Sequence, residues 1–225
     1  HPRVRRSNTH HSSPLSHPHA RRSDTHHSSP LSHRDGRGDG GEGHHLDVLS
    51  IGIFCVDILV KPVRRLPPPG GLELIEDDDL QTGGCANNCA IALARLGLSV
   101  ATVGRIGSDR TGDLVLDDLQ ANGVQTPYMV RDPSARTALS VVVINERGER
   151  SFIHHRGATI NLSASDVPPF VFKRARVLHV GGAFLLPRLD GAPLAWLLQE
   201  GREAGAITVV DTAVDGRGNR MEVLE

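Results

Sequence analysis

The chain has 225 residues, 38% of them hydrophobic, which is enough for one sizeable core and points to a single domain carrying some decoration. Lysine and arginine total 25 against 26 for aspartate and glutamate, so no charge imbalance directs the chain to nucleic acid or to an anionic membrane. The three cysteines, Cys55, Cys85 and Cys89, are too sparse for a disulfide framework and suit a reducing cytoplasm, and neither a secretory signal nor a membrane span is expected from the apolar runs.

Residues 1–45 open the chain with a tandem duplication, in which Arg5 to His17 returns almost unchanged from Arg21 to His33, a period of 16 residues. Ten of the thirteen histidines fall in this stretch, among serine, proline, glycine and arginine. That mixture has too little apolar surface to offset the entropy of ordering, so a disordered tail is expected. Pairs such as His10-His11 and His26-His27 could bind zinc or nickel, but two repeats do not build a packed array, and a solvated extension is the preferred reading.

From Leu46 the texture changes. Val48 to Val56 is a near-continuous apolar run, as expected of a strand covered on both faces. Pro67-Pro68-Pro69-Gly70-Gly71 breaks the chain, Leu72 to Gln81 is a strand candidate with an acidic centre, and Cys85 to Leu96 has helical spacing. A strand at Ser99 to Ile106, a helix at Thr111 to Ala121 and two β-rich runs at Thr137 to Ile144 and Arg150 to His155 follow. Between those runs Asn145-Glu146-Arg147-Gly148-Glu149 reads as a hairpin loop. Ser163 to Asp166 has capping-box spacing, Val177 to Val180 reads as a buried strand, Pro193 to Ala204 as a helix and Ile207 to Val210 as another strand. Strands alternating with helices imply an α/β fold, a mostly parallel sheet with helices on both faces, interrupted by one antiparallel insert near residues 137–155.

The glycine pair Gly83-Gly84 opens the helix at Cys85, and three chemistries compete for it. A phosphate cradle needs a lysine closing the loop, and neither Lys61 nor Lys173 follows a glycine; a dinucleotide fingerprint needs a third glycine, where Cys85 stands. Cys85 and Cys89 share a helix face, yet a stable metal site takes three or four ligands, so packing thiols are the better account. What remains is a tight turn admitting a ligand against backbone, with Asn87 and Asn88 at a helix start, where amides both donate to and accept from hydroxyls. Asn88 could instead cap its helix, and Asp57 could cap a turn before Lys61-Pro62.

Gly83, Gly84, Asn88, Ala90, Gly97 and Gly107 stand at the spacing of the first signature of the ribokinase-like carbohydrate kinases, the PfkB family, which this chain resembles from about Leu46 to Asp211. Ile51-Gly52 followed by Asp57 resembles the family's first strand, whose aspartate holds sugar hydroxyls, and Gly107-Ser108-Asp109-Arg110-Thr111-Gly112 resembles its Gly-x-Asp-x-x-Gly loop. The hairpin at residues 137–155 resembles the family's β-lid. Gly157-Ala158-Thr159 resembles the Gly-Ala-Asn that follows it, with Thr159 as a departure that carries no role. The resemblance implies a ribokinase-like fold, a sugar held by Asp57, Gly83, Gly84 and Asn88, ATP and magnesium as cofactors, and pairing of lids in a homodimer. His154, His155 and Arg156 could reach substrate from the lid, but exposed strand residues are the preferred reading there.

The family's late motif, Asp-Thr-x-Gly-x-Gly-Asp, supplies the catalytic base and the anion hole. The near match Asp211-Thr212-Ala213-Val214-Asp215-Gly216-Arg217 puts Val214 at a glycine and Arg217 at the catalytic aspartate, and it follows a strand that belongs to the middle of the fold. The expectation is therefore a chain holding the sugar-binding front of a kinase, with the C-terminal part of the fold and the nucleotide- and magnesium-binding segments missing, and inactive alone. A non-catalytic carbohydrate-binding module and a nucleoside kinase are the alternatives, the latter thinly supported by Tyr128, Phe152 and Phe172 as the aromatics available to stack on a base.

Overall fold

The computed structural model describes residues 46–213; the histidine-rich repeat at residues 1–45 and the Val214 to Arg217 part of the late near match lie outside the described residues. The apolar run after Leu46 forms two strands rather than one. β1 (Leu46–Gly52) ends where the chain turns at Gly52, φ +143°, and β2 (Cys55–Lys61) enters a different sheet. Ile53 and Phe54, which join them, stay buried, so hydropathy never falls at the break and the sequence reads through it.

The central sheet has the order β5-β4-β1-β8-β9, with β4 at Val100–Gly107, β5 at Gln125–Asp132, β8 at Ala175–Ala183 and β9 at Ile207–Thr212, and every pairing is parallel. α1 (Cys85–Arg95) and α2 (Arg110–Ala121) cover one face, where Ala86, Ala90, Ile91, Val115 and Leu119 pack on Val48, Val100 and Ile106. α3 (Ala192–Glu203) and three short 3₁₀ turns cover the other, where Leu194, Leu197 and Phe172 meet Leu49, Ile51, Val103 and Leu178. A core leucine such as Leu197 contributes roughly 2–5 kcal/mol over alanine in such a setting. β5 is not among the strands expected from the sequence, because Pro127 interrupts it. The strand tolerates that proline as the edge of the sheet, where a missing N–H costs no ladder bond.

The second sheet has the order β3-β2-β6-β7, with β3 at Asp77–Gly83, β6 at Ala138–Ile144 and β7 at Arg150–His155. β2 pairs with β6 in parallel, and the outer pairings are antiparallel. The expected hairpin is therefore only half of this sheet. Its loop closes as anticipated, with Gly148 at φ +79° and the Asn145 Oδ1 accepting from the amides of Arg147 and Glu149 at 2.9 and 3.0 Å. β3 begins at Asp77 rather than Leu72, since its partner β2 ends at Lys61 opposite Asp77 and offers nothing further to pair with. The capping box at Ser163 forms, but it starts a 3₁₀ turn of three residues rather than an α-helix.

One carboxylate fixes where the second sheet departs from the first. Asp109 caps α2 by accepting from the Gly112 amide at 2.9 Å, and it also accepts from the Thr111 hydroxyl at 2.8 Å and from the Thr137 amide and hydroxyl at 2.9 and 2.7 Å. Thr137 Oγ1 in turn accepts from the Gly107 amide at 2.9 Å, so the end of β4, the start of α2 and the approach to β6 share one knot. Burial alone would raise the Asp109 carboxyl; the bonds from Thr137, Gly112 and Thr111 outweigh it and hold the group well below the usual carboxylate range. Bonds from Ser134 and Asn161, helped by Arg105, lower Asp132 to about 2.

Removing the Asp109 carboxylate takes away a helix cap and leaves the Thr137 amide without its partner. Asp109→Ala is expected to lower unfolding stability by about 2 kcal/mol in urea titrations. Both carboxyls are more acidic folded than unfolded, so their contribution is present above pH 4 and disappears as pH falls from about 4 towards 2. Stability flat across that window would contradict this account.

Candidate functional site

Cross-strand register decides which side chains meet on the second sheet. Asp57 lies opposite Gln81 on one side and Ser140 on the other, and Ser140 lies opposite His154. Directly opposed residues share a face, so Gln81, Asp57, Ser140 and His154 form one polar row across all four strands. The adjoining row is Gly83, Cys55 and Ala138. The sequence places Asp57 near the end of a central-sheet strand; it stands instead on β2, in the second sheet, because the chain leaves the central sheet at Gly52.

Within this pair of rows the Asp57 carboxylate lies over Gly83. A Cβ built on Gly83 would collide with Asp57 Oδ2, so glycine here is what leaves room for the acid. Cys55 Sγ donates to the other oxygen, Oδ1, at 3.4 Å, and no further donor reaches the carboxylate among the described residues. Gly84 follows at φ +103°, a conformation open to glycine, and serves as the N-cap of α1 without a side-chain cap. The structure thus brings Asp57, Gly83 and Gly84 to one place.

The two asparagines separate. Asn87 is fully buried and its Nδ2 donates to Thr82 Oγ1 at 3.1 Å, while Thr82 Oγ1 donates to Asp118, a chain that ties β3 to both helices. Asn88 is exposed and lines, with Gln81, Thr82, Arg95 and Asp118, a groove of about 570 Å³ between β3, α1 and α2. Gln81, which pairs with Asp57 across the strands, lines the same groove as Asn88. Thr159 is buried and its hydroxyl finds no partner among the described residues.

Beneath the start of α1 the central sheet contributes a second polar set. Ser50 Oγ donates to the Ala86 carbonyl at 3.0 Å, which commits its one hydrogen, so His179 Nδ1 carries a hydrogen and donates to Ser50 Oγ at 3.0 Å. Burial keeps the His179 imidazole below its usual value against the pull of Asp211. Burial, then the nearby Asp211 carboxylate, push the Cys85 thiol up to about 11; burial and Asp57 push Cys55 up further still. None of the three cysteines is paired among the described residues; Cys55 is buried, and Cys85 and Cys89 are half-buried.

Sequence reasoning does not find Ser140 or Cys55, and it sets His154 aside. Cys55 lies two residues before Asp57 on β2; what joins Ser140 and His154 to Asp57 is the parallel pairing of β2 with β6, a contact between segments some 80 residues apart that no local pattern announces. Asp109, singled out by its loop motif, is a structural joint rather than a site residue.

A parallel five-stranded sheet flanked by helices, with a small mixed sheet whose inner face carries an acid over a glycine pair, is the ribokinase-like α/β fold. The chain belongs to the pfkB family of carbohydrate kinases, whose pattern residues 45–219 match. It is 33% identical over 168 residues to fructokinase-1 of Zea mays, covering 73% of this chain and 50% of that one. A crystal structure of a fructokinase from Xylella fastidiosa with bound ATP superposes with a TM-score of 0.63 at 27% identity, covering 80% of this chain and 57% of the other. The Arabidopsis thaliana ribokinase complexed with ribose and ATP shares the fold, with a TM-score of 0.65 at 22% identity over 76% of this chain and 54% of that one. The chain spans about half the length of the curated relatives it matches.

A thiol becomes a nucleophile only as the thiolate, so groups pushed up this far react slowly. Cys55 and Cys85 are expected to react with a disulfide reagent at pH 8 at least tenfold more slowly than free cysteine in the folded chain, and at the ordinary rate once unfolded. Rapid labelling of all three in the native protein would contradict the burial described here.

Proposed function

We propose that the inner face of the second sheet holds the acceptor sugar of an ATP-dependent carbohydrate kinase, with Asp57 accepting from two neighbouring hydroxyls. The observation that carries this reading is Asp57 Oδ2, poised over Gly83 with no protein donor among the described residues. Asp57 is half-buried, so its open oxygen can reach a ligand, and vicinal hydroxyls would supply two hydrogens. Gly83 and Gly84 let the ligand approach backbone at the start of α1, and Asn88 stands close by on the same helix. Fructose is the leading candidate, since two of the relatives named above are fructokinases.

Among the described residues no group of three or more His, Cys, Asp or Glu is placed to hold a metal ion, and Lys61 is engaged with Asp77 at 3.1 Å. No described residue is placed as the base that takes the proton of the attacking hydroxyl, so the 225-residue chain is proposed to bind sugar without transferring phosphate. No helix among the described residues is long and apolar enough to cross a membrane, and free thiols suit the reducing cytoplasm proposed as its setting.

Isothermal calorimetry on the 225-residue chain with D-fructose, D-ribose and D-glucose is expected to give saturable binding for at least one sugar. Asp57→Ala should weaken it at least a hundredfold, and no sugar phosphate should form with ATP and magnesium present. Equal binding by the alanine variant would remove Asp57 from the site, and phosphate transfer would overturn the division proposed.

The opposite face of the same sheet supports the homodimer. Leu80, Ile58, Val141 and Ile153 form an apolar row across the four strands, with Leu80 and Ile153 55% and 58% exposed. A second copy of this face is the self-complementary cover that two-fold symmetry provides. Sedimentation should show a dimer that Ile153→Lys converts to monomer without loss of sugar binding; a wild-type monomer at tens of micromolar would end the proposal.

A further inference from the structure

α1 begins without the side chain that ordinarily fixes a helix start. Its N-cap is Gly84 at φ +103°, and a Cβ there would collide with the Ile53 carbonyl, so the position is closed to serine, threonine and aspartate. The first turn lies instead directly on the backbone of the central sheet, where a Cβ on Gly181 of β8 would stand 2.7 Å from the Ala86 nitrogen. Two side chains hold it there. Ser50 on β1 donates to the Ala86 carbonyl at 3.0 Å, and His179 on β8 donates from Nδ1 to Ser50 Oγ at 3.0 Å. Ser50 and His179 are register partners across the parallel strands, and both are buried. A serine hydroxyl can turn; the imidazole removes that freedom by donating to its lone pair, which leaves the hydroxyl hydrogen for Ala86. The Asn88 amide closes the same turn on the Gly84 carbonyl at 2.9 Å, so the seated segment runs straight into the glycine pair.

We propose that Ser50 and His179 are positioning residues of the sugar site, acting through the Ala86 carbonyl to set the place and rotation of the first turn of α1 and, with it, the glycine turn beneath Asp57. The proposal rests on the sugar-binding reading above and requires neither side chain to touch the ligand. Ala86 is two residues from Gly84, so a displaced helix start carries the floor of the site with it. Packing alone does not call for this pair, since replacing both partners of a buried hydrogen bond by apolar groups of the same shape costs little stability. What apolar groups cannot supply is direction, because hydrophobic contact has no preferred angle and a hydrogen bond has one. Placement and stability are therefore separable at these two positions.

The test uses the 225-residue chain and whichever of D-fructose, D-ribose and D-glucose binds most tightly. His179→Leu keeps most of the bulk and loses the donor; it is expected to weaken that sugar about tenfold with little change in melting temperature. His179→Asn, whose amide nitrogen stands near the place of Nδ1, should restore most of the affinity and yet melt lower, because the shorter side chain leaves a cavity. Ser50→Ala should weaken the sugar at least as much as His179→Leu, and the double variant no further, since both act through one chain of hydrogen bonds. Affinity and melting temperature then rank the variants differently. If the two rank alike, or if Ser50→Ala and His179→Leu bind as wild type does while Asp57→Ala still loses the sugar, the proposal is overturned and the sugar site stands. A wild-type chain that binds none of the sugars overturns both. Hydrogen exchange at the Asn88 amide reads the seating of the turn without any sugar: it should be at least tenfold faster in Ser50→Ala with the α2 amides unchanged, and equal exchange overturns the seating. If His179→Leu fails to fold, Ser50→Ala against Ser50→Thr decides: affinity lost with alanine and kept with threonine supports placement, and equal affinity in the two overturns it.

Discussion

The Asp109 carboxylate is the contact on which the arrangement of the two sheets depends. β6 runs beside β2 and sets the register that brings Ser140 opposite Asp57, so whatever fixes the start of β6 fixes the polar row. Asp109 does this by accepting from both the amide and the hydroxyl of Thr137, one residue before β6, while its other bonds hold the first turn of α2. Four hydrogen bonds into one carboxylate give a geometry stiffer than a loop of this length would have by itself. The Arg105 guanidinium supports the same joint from the far side, bridging Asp166 at 2.8 Å and Asp132 at 3.3 Å at the end of β5.

The proposed site therefore draws on two bodies with different duties. The junction of β3 with α1 contributes backbone: the glycine turn and the uncapped start of the helix, seated on the central sheet by the His179–Ser50–Ala86 chain. The second sheet contributes side chains, Asp57 on β2 foremost. Backbone provides a floor that does not depend on rotamers, and the side chains above it are free to define which hydroxyl pattern is accepted. The glycine pair is the trace of the turn in the sequence, Asp57 is that of β2, and no comparable trace marks β6 or β7.

That division explains what was legible in the sequence. The alternation of apolar strands with amphipathic helices announces the central sheet, since a parallel sheet buried on both faces is written in continuous hydrophobic runs. Gly83, Gly84 and Asp57 were legible because their spacing is local. The split of the 46–60 run was not, as Ile53 and Phe54 are as buried as the strands they join. Nor was β5, where Pro127 argues against a strand unless the strand is known to be an edge. Ser140 and His154 look like ordinary residues of an exposed hairpin until β2 is known to lie beside β6. Asn88, which the motif marks, lines a groove that Asp118 and Arg95 also line.

The residue at position 55 carries the electrostatics of the site further than its size suggests. A serine there would be a full hydrogen-bonding partner and would draw the Asp57 carboxylate inward; a thiol is a weak donor that packs as a small hydrophobe. Cys55 is 4% exposed, and with Ala138 and Gly83 in the same row it gives the carboxylate an apolar bed. In such surroundings a hydrogen bond from a ligand hydroxyl is stronger than in water, and an unpaired oxygen is correspondingly expensive. Under the proposed function, a polyhydroxylated ligand would supply the hydrogen bonds to Asp57 that the weak thiol donor at position 55 does not.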